Sequence, residues 1–230
     1  RRELNAYLAS PIAYVVGAVY LAVLGGLSGF ILYYSREATL RYALTHGVTL
    51  LFTVLVTQVL TMRLLADEQR QGTIELLLTS PVRDWEVVVG KYLASLAVLA
   101  LMMLLSAYFP IILLRIGDPD VGVMLAVYLG YLLLGGALLA IGVFASSLTQ
   151  NQIVSAVIGM GIALVLWLSG ALTEFVGSGL QGVVAYLPIF DHYIDFTRGM
   201  IDTRHIIYYL SVVALFLFFS TRVLEARRWK

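Results

Sequence analysis

Residues 66–91 read ADEQRQGTIELLLTSPVRDWEVVVGK, a long polar interruption between two apolar runs. Asp67, Glu68, Arg70, Glu75, Arg83, Asp84, Glu86 and Lys91 all fall within it. A charged side chain at the centre of a bilayer costs roughly 2.5 to 3.5 kcal/mol even on lenient insertion scales, so this stretch must face water. Within it, Gly72 breaks the helix that leaves the preceding apolar run, and Thr73 supplies a side-chain oxygen to cap a new one. Ile74, Leu76, Leu77 and Leu78 follow before Ser80-Pro81 ends the run. The pattern predicts a short helix held out from the membrane, with Asp84 capping the next long apolar helix. So much leucine on a short water-facing helix calls for a partner's groove in which its apolar side can dock. The other reading of these residues is a solvated loop whose leucines rest on lipid headgroups.

Composition sets the class. Of 230 residues, 60% are hydrophobic and 13% charged, and the mean hydropathy is +0.91. Soluble domains carry about 25% charged residues, so this is an integral membrane protein. The absence of cysteine excludes disulfides, thiolate metal sites and thiol nucleophiles. The formal net charge of +1 says little, because in a membrane protein the placement of charge matters more than its sum. Since the chain begins at Arg1 and not at Met, a few residues are expected to be missing or processed. The first apolar run is long enough to span and lacks a small-residue cleavage site, so it reads as a span and not a signal peptide.

The fold class read outward from 66–91 is all-α: a polytopic membrane protein with six transmembrane helices. In residues 1–11, RRELNAYLASP, Leu4, Tyr7 and Leu8 lie at i, i+3 and i+4, which fits an elbow helix in the membrane interface. Residues 12–34 form the first span, uncharged and long enough for about 30 Å of hydrocarbon. The second span is 47–65, with Arg63 snorkelling at its end. After the water-facing segment 66–86, the third span is 87–114. There Lys91 is expected to snorkel and Pro110 to kink or end the helix. No charge occurs from Val121 to Thr173, so spans 121–146 and 152–173 form a hairpin whose polar, uncharged turn, SSLTQNQ, is either a weak contact for a partner or, as the default reading, a short loop. In 175–200, Leu180, Val183, Val184 and Leu187 keep helical spacing until Pro188; the stretch is too short and punctuated to span. It is read as short helices lying at the membrane surface or re-entering it. The last span is 206–221, followed by the basic tail 222–230 with Trp229 as an interface anchor.

Six spans put both ends on one side. Arg1, Arg2, Arg63, Arg70, Arg83, Lys91, Arg222, Arg227, Arg228 and Lys230 share the side of the 66–86 segment, while Arg36, Arg41, Arg115, Arg198 and Arg204 lie opposite. By the positive-inside rule this ten-to-five split makes the termini and the segment cytoplasmic, and the membrane expected is a bacterial inner membrane.

The run DEQRQGTIELLLTSPV resembles the cytosolic segment of permease subunits of the ABC-2 family of ATP-binding-cassette transporters. An acidic pair, a basic residue, GT, a glutamate and a proline recur there at this spacing. The elbow followed by SPIAYVV also resembles that family, and the resemblance extends over nearly the whole chain. FDHYIDFTRGMIDTRHIIYYLS and LEARRW are most similar to the gliding-motility and nitrous-oxide-maturation type branch. The resemblance implies that the segment is a coupling helix seated in a cleft of a separate ATPase. The coupling positions it implies are Glu68, Arg70, Gly72, Thr73, Ile74, Glu75, Leu77, Leu78 and Pro81. It further implies two ATPase copies, a second permease copy or a related permease, and in that branch a membrane-anchored extracytoplasmic auxiliary protein. Membrane lipids, but no nucleic acid, complete the expected partners.

Chemistry outside that segment is sparse. Asp191, His192 and Asp195 form a D-H-x-x-D cluster that suggests a metal site or proton relay, yet reads more simply as the polar face of an interfacial helix. Glu174 is either a substrate contact or a snorkelling carboxylate. Belts at the membrane interfaces account for most of the 14 tyrosines and 10 phenylalanines. No GxxxxGK[ST] loop occurs, so this chain cannot bind ATP by that route. The expectation is a non-enzymatic permease subunit of exporter type, moving a substrate or transmitting a mechanical signal. It has no cofactor, metal or catalytic residue of its own; ATP and Mg belong to the partner ATPase. The alternative is a membrane-embedded enzyme or passive channel.

Overall fold

In hydrocarbon every backbone N–H and C=O must find its partner within the chain, so long apolar runs without interior proline become helices. The computed structural model describes residues 7, 11–35, 44–73, 83–117, 119–174 and 181–228, and among these there is no strand. In chain order the helices are α1 (Pro11–Ser35), α2 (Gly47–Thr61), α3 (Ala66–Arg70), α4 (Asp84–Leu105), α5 (Tyr108–Ile116), α6 (Val121–Leu148) and α7 (Gln152–Leu168). A 3₁₀ segment (Ser169–Glu174), two short helices, α8 (Gln181–Val184) and α9 (Asp191–Thr197), and the long α10 (Thr203–Arg228) complete the order. Among the described residues six stretches, 13–34, 47–70, 84–116, 121–148, 152–171 and 203–227, are helical, long and apolar enough to cross a membrane. This is a multi-pass membrane protein.

α6 is the centre of the bundle: 72% of its apolar stretch is buried, against 11% for α1 and 17% for α10. It holds this position because small residues let neighbours approach its backbone. A Cβ at Gly130 would stand 2.5 Å from Phe196 Cγ, and one at Gly142 would collide with the Thr61 side chain. On α2, Thr53, Thr57 and Thr61 each donate a hydroxyl hydrogen to the carbonyl four residues earlier, at 2.7, 2.8 and 2.8 Å. Gln58 Nε2 donates to Leu138 O of α6 at 3.2 Å. The inward stripe of α2 is therefore polar and internally bonded, and it can be buried without orphaned hydroxyls.

Two helix ends differ from the sequence reading. α4 is capped not by Asp84 but from Arg83, whose N–H donates to Glu86 Oε2 at 3.1 Å, while Asp84 is the first helical residue. This is the backward half of a capping box, in which the third helical residue satisfies the cap's own N–H. The break expected at Pro110 lies at Ser106-Ala107. Proline has no N–H for the carbonyl four residues before it, and Ser106 O instead accepts from Phe109 N–H at 3.1 Å and from the Tyr128 hydroxyl at 3.2 Å.

Between α7 and α10 the chain packs inward. Ile189, Phe190, Tyr193 and Phe196 are buried, and the Tyr193 ring lies 6.1 Å from that of Tyr131, about 15 Å along α6 from its start. Tyr208 and Tyr209 of α10 donate to Leu187 O and Ile189 O at 2.6 and 2.8 Å. Among the described residues of the apolar series ending at Leu187, the helix covers Gln181–Val184.

Candidate functional site

The polar segment leaves α2 through a turn at 62–65 and forms α3, whose five residues are too few to hold a helix by themselves. Its ends explain its length. Leu65, the cap position, makes no side-chain cap bond, and Gly72 stands at φ +69° past the last turn, the left-handed geometry that ends helices and suits glycine. The Thr73 hydroxyl donates to Glu68 O at 3.3 Å, and the residues it was expected to cap lie outside those described.

Neighbouring helices supply what α3 lacks. Ser146 Oγ, on the last turn of α6, accepts from the backbone N–H groups of Leu65 and Ala66 at 2.9 and 3.0 Å. In return Gln69 Nε2 donates to Ser147 O at 2.9 Å and Ser146 O at 3.4 Å, satisfying carbonyls that a helix C-terminus leaves open. Arg227 of α10 donates to Ser147 O and Leu148 O, each at 3.3 Å. Gln152, at the start of α7, hydrogen-bonds Asp67. Lys91 of α4 places its ammonium 2.6 Å from Glu68 Oε1. The lysine side chain is 3% exposed, so it does not snorkel to water as the sequence suggested. A carboxylate 23 residues back meets it inside the fold.

Of the coupling positions, Glu68, Arg70, Gly72 and Thr73 lie among the described residues; Ile74, Glu75, Leu77, Leu78 and Pro81 lie outside them, as does the elbow apart from Tyr7 and Pro11. Tyr7 donates to Leu60 O at 2.7 Å, which fixes this residue beside the end of α2. Arg70 is exposed and, with Arg227 and the 149–152 turn, lines an open concavity of about 860 Å³. The 149–152 turn thus lies on the same surface as Arg70, in the described part of the segment. Ser146, Gln69 and Gln152 were missed because a buried serine or glutamine has no periodicity or spacing that marks it; only the uncharged polarity of SSLTQNQ gave a sign.

At the other end of α6 the D-H-x-x-D cluster takes a form the sequence did not indicate, because its partner comes from α10. His192 Nδ1 lies 2.8 Å from His205 Nδ1, His205 Nε2 lies 2.8 Å from Asp195 Oδ2, and His192 Nε2 lies 3.0 Å from Tyr186 O. A carbonyl only accepts, so His192 Nε2 carries a hydrogen and one further hydrogen bridges the two Nδ1 atoms. Burial lowers the pKa of His192, with the neighbouring His205 adding to the effect and the Tyr186 carbonyl, Asp191 and Asp195 opposing it. Among the described residues no group of three or more His, Asp or Glu is placed to hold a metal ion.

The sequence profile described as ABC-2 family transporter protein matches residues 9–224. The chain is also similar to the probable multidrug ABC transporter permease YbhR of Escherichia coli strain K12, and of Escherichia coli O157:H7, at 26% identity over 175 residues. That alignment covers 72% of this chain and 45% of each relative, so the chain spans about half the length of the curated relatives it matches. With a profile match across nearly all of six membrane-crossing helices, the chain belongs to the ABC-2 family of transporter proteins and is a transmembrane ABC permease.

Proposed function

We propose that this permease couples ATP hydrolysis by a separate ATPase to outward movement of a substrate, with residues 66–86 as the docking element. The observation that carries the reading is the charged, leucine-bearing stretch of sequence between two spans, whose described start is the bonded α3, with Arg70 beside the 149–152 turn and Arg227. In this reading Leu77 enters a cleft of the ATPase, where burial of a leucine is worth roughly 1.5 to 3 kcal/mol. Glu75 pairs with a basic residue at the rim, and Gly72 and Pro81 set the turns. ATP and Mg sit on the ATPase, present in two copies, and the permease works as a pair with itself or a relative.

The ten-to-five charge split supports an inner-membrane protein with cytoplasmic termini. The similarity to relatives described as multidrug permeases makes small amphipathic compounds the first substrate class to screen. The likeness of the C-terminal part to the gliding-type branch supports an extracytoplasmic auxiliary partner instead of, or beside, such a substrate.

Pull-down of the ATPase and its hydrolysis rate in lipid test the reading. Leu77→Asp is expected to weaken both while insertion of the six spans is retained, and Glu75→Ala to do less. Parent-like binding and stimulation by Leu77→Asp, together with loss of both on altering the 149–152 turn, would move the docking element to that turn.

A further inference from the structure

Five consecutive residues, Leu65 to Gln69, are bonded to three different helices. The N–H groups of Leu65 and Ala66 share Ser146 Oγ of α6, Asp67 meets Gln152 of α7, Glu68 meets Lys91 of α4, and Gln69 returns to the last carbonyls of α6. Ser146 also donates to Met62 O at 3.3 Å, so one hydroxyl spans both sides of the turn that joins α2 to α3. The end of α6 caps the beginning of α3, and a side chain of α3 caps the end of α6.

We infer that Ser146 and Gln69 form the joint through which displacement of the 66–86 segment is passed to α6, which makes them positioning residues for coupling. The inference rests on the coupling reading above and adds its route. Three of the five tied residues lead to α6, whereas α4 is tied to α3 by the Lys91–Glu68 pair. α6 is also the helix to which such a displacement matters. Its 28 residues form a continuous rod of about 40 Å, buried over most of its length, with α9 packed near its far end through Phe196 on Gly130. A push on Ser146 therefore reaches the Val121 end and the His192–His205 region without crossing a loop. The bonds are short, buried and reciprocal, so the joint transmits displacement in both directions.

The test uses the permease with its ATPase, reconstituted in lipid. As the native chain lacks cysteine, Val121→Cys places a single thiol at the far, exposed end of α6. Its labelling rate is read with and without ATP and vanadate, normalised to the ATPase bound. The parent should show an ATP-dependent change. Ser146→Ala and Gln69→Leu should each reduce that change by about fivefold, the equivalent of one buried hydrogen bond, and Ser146→Thr should retain it because the hydroxyl is kept. Hydrogen exchange at residues 63–70, faster in both loss variants, confirms that the joint was opened in a folded protein. A parent-sized response in both variants, with residues 63–70 demonstrably loosened, overturns the inference. So does an unresponsive thiol at position 121 in a parent that binds ATPase, which leaves the coupling reading standing. If no ATPase binds the parent, the coupling reading falls and this route with it.

Discussion

Lys91 Nζ lies 2.6 Å from Glu68 Oε1, a bond between the first turns of α4 and the five-residue α3, with the lysine withdrawn almost completely from solvent. Removing one partner of a buried pair leaves the other charge poorly solvated, which outweighs the intrinsic worth of the pair. Because Glu68 keeps 23% of its side-chain exposure, Lys91→Met is expected to destabilise by about 2 to 3 kcal/mol, below the range for fully buried pairs. The double variant Lys91→Met, Glu68→Gln should recover at least half of that. Thermal unfolding in detergent across the four-protein cycle measures the coupling, and additive single effects would show the pair to be energetically silent.

Gly130 is where α9 closes on α6. A Cβ there would lie within 3 Å of three Phe196 atoms, and Phe196 is fully buried. Gly130→Ala is expected to cost about 1 to 3 kcal/mol through overpacking. Gly161, whose Cβ would meet nothing within 4 Å, should accept alanine with no loss. Paired melting curves decide it.

The His192 region is expected to loosen in acid. Burial depresses the His192 pKa, so its neutral form is favoured by folding. The contribution is complete above the ordinary histidine value of about 6.5 and is lost as pH falls through the lower folded value. Protonating His192 at Nδ1 sets N–H against the hydrogen already bridging to His205. Asp191, Asp195, His205 and Arg198 are ionisable groups nearby, with Arg198 held to Asp195 at 3.4 Å, and Tyr208 and Tyr186 pack on the His192 ring. Hydrogen exchange over residues 186–200 should rise in the parent as pH falls below the ordinary histidine value of about 6.5. His192→Gln should flatten that profile, and an equal pH response in that variant would assign the change to other groups.

Arg70, the 149–152 turn and Arg227 line one concavity, so they must share a side of the membrane. Single cysteines at 70, 150 and 227 should all be shielded from an impermeant reagent in intact cells, while one at Arg198 should react. Agreement among the first three with the opposite sign would invert the orientation; disagreement among them would contradict the fold.

The sequence alone determined the fold class, because uncharged runs of some twenty residues have one solution in hydrocarbon, and charges such as Asp67, Glu68 and Arg70 cannot enter it. It also indicated the end of α3, where Gly72 was read as breaking the helix and stands at φ +69°, a conformation glycine adopts without steric cost. The partner of Lys91 was not legible: snorkelling and pairing look identical until α3 is known to fold back beside α4. Nor was Ser146 legible, a neutral side chain whose three bonds are to backbone groups 80 to 84 positions earlier. The D-H-x-x-D spacing pointed to Asp191, yet the hydrogen-bonded chain runs through His205, which α10 delivers from 13 residues away. Hydropathy acts locally and is written residue by residue, whereas capping in trans and charge burial depend on which helix ends meet. Only the packing around α6 decides that.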